Sequence, residues 1–73
     1  MRTQELAEIV AERYRQADKN EMTTQIRLFG IEFAEELEGH SLAEICALAD
    51  LKASYAGEIR KGMKLAPYVL LRK

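Results

Sequence analysis

The sequence predicts an all-α chain, a compact bundle of four to five short helices whose C-terminal tail reads equally as a short helix or an edge strand. Three observations carry this. Ten Ala, nine Leu and ten Glu outweigh two Val and three Thr, a balance that favours helix over strand. Apolar residues recur at spacings of three and four along most of the chain. One Pro and four Gly punctuate it sparsely. Seventy-three residues make one domain, 1–73, with no room for a doubly wound sheet, a barrel or a separate catalytic domain.

The first helix runs from Thr3, a candidate cap, to about Asp18, with Leu6, Ile9, Val10, Tyr14 and Ala17 on one stripe and Glu5, Glu8, Glu12, Arg13, Arg15 and Gln16 on the other. A second helix opens near Thr23 or Thr24. Its apolar positions are Ile26, Phe29, Phe33, Ala34 and Leu37, widened by Leu28 and Ile31. Gly30 lies inside it, where glycine costs roughly 1 kcal/mol against Ala but lets another backbone come close. Glu32, Glu35, Glu36 and Glu38 form a solvated face, and Gly39 ends the helix.

Ser41 then caps a short third helix, with Glu44 three residues on to close a capping box and Leu42, Ile45, Cys46 and Ala49 facing inward. A tight connection of three or four residues holds Asp50 and Leu51, with Leu51 plugging the space between helices. The next helix starts at Lys52 or Ala53, turns Ala56 and Ile59 inward, and runs to Lys61, where Gly62 stops it. Two short helices joined this way, with small Cys46, Ala49 and Ala56 at the crossing, make a helix-turn-helix at 42–62. Beyond it, Pro67 suits the first position of a helix and Tyr68 to Leu71 suits an edge strand.

No stretch reaches the roughly 20 apolar residues of a membrane span, and Met1 to Val10 lacks a signal-peptide core, so a soluble, cytoplasmic chain with no membrane partner is expected. Cys46 is a core residue by its apolar setting. His40, the sole histidine, is a solvated linker residue, and one Cys with one His makes no zinc set. No metal, cofactor or enzymatic activity is expected, since there is no Cys-His pair, Ser-His-acid set or phosphate loop. The net charge of -1 hides a split: residues 1–51 carry five Lys/Arg against eleven Asp/Glu, and residues 52–73 carry six against Glu58 alone. A polyanion is attracted to one end of such a chain and repelled by the other.

The stretch Leu42 to Gly62 resembles the helix-turn-helix of phage Cro/repressor-type regulators at Ile45, Cys46, Ala49, Leu51, Ala56 and Ile59. Those proteins usually have Ala where Cys46 stands. They usually have Gly where Asp50 stands, because that residue tends to adopt φ > 0, and Asp is a tolerable substitute. Gln25-Ile26-Arg27-Leu28-Phe29-Gly30 together with Glu58-Ile59-Arg60-Lys61-Gly62-Met63 is similar to small bacterial and phage proteins with a helix-turn-helix-like domain. The resemblance spans roughly residues 24–69.

It implies a small transcriptional regulator that binds double-stranded DNA, with the helix after the turn in the major groove. Lys52, Ala53, Ser54 and Tyr55 are then the base-contact candidates: Lys52 donates to guanine, Ser54 donates or accepts, and Ala53 meets a thymine methyl. Tyr55 either contacts the backbone or packs against the second helix. Arg60, Lys61 and Lys64 neutralise phosphates, joined by Gln25 and Arg27 if the preceding helix lies close. Glu58 either accepts from a cytosine amino group or repels phosphate. One such helix binds weakly, so a homodimer is expected, through Leu6, Val10 and Tyr14 or through Tyr68, Val69, Leu70 and Leu71. The alternative is a protein-interaction module of antirepressor or anti-activator type, its acidic half meeting a basic partner.

Overall fold

The computed structural model describes residues 1–69 and holds five α-helices: α1 (Thr3–Gln16), α2 (Met22–Glu32), α3 (Ala34–Leu37), α4 (Leu42–Leu48) and α5 (Tyr55–Leu65), followed by a 3-10 turn over Ala66–Tyr68. Among the described residues there is no strand, so the architecture is an all-α bundle with a helix-turn-helix at α4–α5. Each helix contributes one or more apolar residues to a single core of Leu6, Ala7, Val10, Ile26, Phe29, Leu37, Leu42, Ile45, Cys46 and Ile59. Tyr14, Phe33, Ala49, Leu51, Tyr55, Ala56 and Met63 pack around it. Cys46 is fully buried, and burial pushes its thiol pKa up, which keeps it neutral.

The most extensive helix pairing is α2 on α5, and two glycines permit it. A Cβ placed on Gly30 would stand 3.1 Å from the Cα of Gly62 and collide with the Ile59 carbonyl oxygen. A Cβ on Gly62 would likewise run into the Arg27 carbonyl oxygen. The backbones therefore cross in direct contact. The spacing predicts that Gly62 stops α5, but it is buried within the helix, which continues to Leu65. A glycine used for close approach and one used as a terminator look alike in sequence.

The helix ends show which capping groups the sequence supplies. Ser41 Oγ accepts from the Glu44 amide at 3.2 Å, the cap expected, but among the described residues no bond from the Glu44 carboxylate to the Ser41 N–H closes the capping box. At α1 the cap is Arg2, whose backbone N–H donates to the Glu5 carboxylate at 2.9 Å. Thr3, the expected cap, instead pairs its hydroxyl with His40 Nδ1 at 2.8 Å. His40 is thus half-buried and engaged, not a solvated linker residue. The second helix does not run unbroken to Gly39: it starts at Met22, bends at Phe33 (φ -109°, ψ 23°) and resumes as α3. Gly39, with φ 84°, turns the chain toward α4.

The α4–α5 connection is a Schellman cap. Leu51 N–H donates to the Cys46 carbonyl at 2.9 Å and Asp50 N–H to that of Ala47 at 3.2 Å. Asp50 sits at φ 60°, the left-handed conformation expected of it. The connection covers residues 49–54, longer than the three or four expected. Lys52 and Ala53 carry no side-chain acceptor to cap a helix, so 52–57 winds first through i→i+3 bonds from Tyr55, Ala56 and Gly57 to Lys52, Ala53 and Ser54. Lys52, Ala53 and Ser54 therefore precede α5, whereas the sequence predicts a start at Lys52 or Ala53. In the tail, the 3-10 turn through Pro67 leads to an extended Val69; Leu70 and Leu71 lie outside the described residues.

Candidate nucleic-acid interface

At about 100° per residue, the inward face of α5 takes Tyr55, Ala56, Ile59, Gly62 and Met63. The opposite face carries Gly57, Lys61 and Lys64, with Ser54 one turn earlier and Arg60 on one flank. Lys52, Ala53, Ser54, Arg60, Lys61 and Lys64 are all exposed. Ser54 makes no capping bond, so its hydroxyl is not committed to the helix end. Six of the expected contact residues, Lys52, Ala53, Ser54, Arg60, Lys61 and Lys64, thus lie along α5 and its leading turn.

Tyr55 faces another way. Its ring meets Tyr14 edge to face, with centroids 5.6 Å apart at 70°. Burial first, then the Tyr14 hydroxyl and the Glu58 charge, holds its phenol above the ordinary value, so it stays neutral. Gln25 is also apart: it lines a groove with Arg13, Gln16, Asp18 and Glu21, on the α1–α2 side.

Glu58 is the one carboxylate on α5. Arg27 Nε of α2 donates to its Oε1 at 2.6 Å, and Lys61 Nζ lies 3.6 Å from its Oε2. The Arg27 hydrogen bond and charge, with a smaller contribution from Lys61, hold its carboxyl below the usual range. Repulsion of a polyanion by Glu58 is therefore largely offset within the subunit. Arg27 is drawn to α5 by this pair, over a separation of 31 residues that no local sequence pattern marks. Among the described residues, Lys52, Arg60 and Lys64 form no ion pair.

The acidic face lies partly elsewhere. Glu32 is held by Arg13 of α1 at 2.5 Å, and the Arg13 guanidinium also stands 5.5 Å from the Phe33 ring centre. Glu35 and Glu38 are exposed, and Glu38 shares a groove with Arg60 and Lys64.

The family model described as an HTH-like domain matches residues 2–72. The chain belongs to that family. No curated protein and no solved structure gave a match.

In this HTH-like domain the expected dimer face on α1 is not a surface. Leu6 and Val10 have no exposed area because they fill the subunit's own core, and Tyr14 packs on Tyr55. An apolar stripe on a small domain's helix is spent first on its own core. Exposed apolar side chains follow the far end of α5, Leu65 at 45%, Tyr68 at 84% and Val69 at 39%, with Met1 and Leu48 exposed elsewhere. Leu65 and Tyr68 border a cavity of about 330 Å³ with Arg27, Lys61 and Lys64. The sequence does not mark Leu65 as a dimer residue, because its exposure depends on where α5 ends. Among the described residues no three His, Cys, Asp or Glu side chains converge to hold a metal ion, and no helix is long and apolar enough to cross a membrane.

Proposed function

We propose that this HTH-like domain binds double-stranded DNA sequence-specifically, as a small non-enzymatic transcriptional regulator, with α5 and its leading turn directed into the major groove. One observation carries the reading: the only carboxylate on α5 is already held by Arg27 and Lys61, while Lys52, Arg60 and Lys64 stay exposed and, among the described residues, outside any ion pair. Lys52, Ala53 and Ser54 reach base edges from the turn, as the N-terminal part of a reading helix does. Arg60, Lys61 and Lys64 meet phosphates, while Arg27 serves beside them by offsetting Glu58.

A single α5 presents few donors, so affinity requires two copies reading half-sites about 34 Å apart. Leu65, Tyr68 and Val69 supply the apolar surface for that pairing.

The test is a fluorescence-anisotropy titration against fragments of the source genome at two salt concentrations. The wild type is expected to bind with log K falling steeply as log salt rises, by about 0.9 per phosphate neutralised. A Lys52→Gln, Arg60→Gln, Lys61→Gln variant is expected to lose at least about tenfold in affinity and to show a shallower slope. Absent or salt-insensitive binding by folded wild type would sink the proposal in favour of the protein-interaction alternative.

A further inference from the structure

We infer that the groove between the α3–α4 junction and α5 is a binding site for a small amphipathic monocarboxylate. Its volume is about 470 Å³, within the roughly 300–1,000 Å³ typical of small-ligand sites. Leu37, Leu42 and Met63 give it an apolar lining, and Arg60 and Lys64 stand on the α5 wall. Leu37 and Leu42 are almost wholly buried behind it, so the apolar surface a ligand can cover comes chiefly from Ala43, Met63 and the hydrocarbon stems of Arg60 and Lys64.

Charge sets the class of ligand. The groove has two cations, Arg60 and Lys64, against one carboxylate, Glu38, a balance of +1. Neither cation is tied to a carboxylate among the described residues. A monoanion directed at the α5 wall matches that balance, whereas a dianion leaves a charge beside Glu38. The apolar floor adds roughly 25 cal/mol for each Å² of ligand hydrocarbon removed from water, so an acid with a hydrocarbon body is preferred to a bare anion. Arg60 also forks toward a carboxylate with two parallel donors.

The site does not depend on the DNA reading, but the two share Arg60 and Lys64. Neutralising them with a bound acid weakens any contact they make with phosphate.

The experiment is an amide NMR titration of the full chain with octanoate, beside octanol (the tail without the charge) and acetate (the charge without the tail). Octanoate is expected to give saturable shifts at residues 37–43 and 60–64, at least about tenfold tighter than either control. Arg60→Gln with Lys64→Gln is expected to weaken octanoate by about tenfold or more, with amides outside the groove unmoved, which shows the variant folded. Shifts scattered over the surface, equal binding of octanol, no saturation by about 10 mM, or undiminished binding by the double variant would each overturn the inference. Duplex binding measured with and without octanoate tests the DNA reading separately, since the NMR outcome stands whether or not the chain binds DNA.

Discussion

Gly30 and Gly62 meet where α2 crosses α5, and neither has room for a methyl group. Gly30→Ala or Gly62→Ala must push two helix backbones apart, at a cost of about 1–3 kcal/mol or more, read as a lower urea midpoint. Gly57 has nothing within 4 Å of its would-be Cβ, although it lies in the same helix. Gly57→Ala is therefore expected to stabilise the fold by about 0.5–1 kcal/mol, and destabilisation there would contradict the open face described for α5. Asp50 is the other residue whose backbone decides its side chain. At φ 60° a β-branched residue is strained, so Asp50→Val is expected to lower stability by about 1–2 kcal/mol. Asp50→Gly should instead hold or raise the thermal midpoint; equal midpoints for the Val and Gly variants would remove the strain from the account.

Between elements, the Arg27–Glu58 bridge ties α2 to α5 and gives the fold an acid-sensitive contribution. Glu58 has a lowered pKa in the folded chain, chiefly through Arg27. Its stabilisation is full above the unfolded value of about 4.3 and is lost as pH falls through the lower folded value. Glu58→Gln is thus expected to unfold at lower urea than wild type at pH 7, with the difference closing below about pH 4. The same variant frees Arg27 and Lys61, so under the DNA reading it binds duplex more tightly with a steeper salt slope. A gap in stability that persists in strong acid would mean the bridge is not its source. The α4–turn–α5 unit shows how far local signals reach. Ser41, Ala49, Leu51 and Ile59 take the places their spacing foretells, and the positive φ at Asp50 follows from its register in the motif. The start of α5 does not, because a missing cap at Lys52 delays the helix without disturbing the apolar period that marks it.

At the scale of the whole molecule, a 73-residue chain has little apolar surface to divide between a core and a partner. Leu6 and Val10 go to the core, and Leu65, Tyr68 and Val69 are left outside. Sedimentation equilibrium is expected to show a reversible dimer that Leu65→Gln with Tyr68→Ser converts to monomer; a wild type of monomeric mass across the concentration range would remove the pairing. The acidic and basic halves remain distinguishable in three dimensions only in part. Arg13 covers Glu32 and Arg27 covers Glu58, so cations of the acidic half neutralise carboxylates in both.

The sequence by itself determined the all-α class, the apolar residues Leu6, Val10, Ile26, Phe29, Leu37, Ile45, Cys46 and Ile59 that build the core, and the Ser41 cap, because each follows from neighbours within about one helical turn; the turn at Asp50 follows from the resemblance to helix-turn-helix regulators. Tertiary structure alone decided that Gly62 is a crossing point and not an end, that Tyr55 leans on Tyr14, that Thr3 binds His40, and that Arg27 neutralises Glu58. Those outcomes depend on which surfaces meet after the chain has folded back on itself. Periodicity says that a side chain points inward, but only the packed helices settle what it meets there.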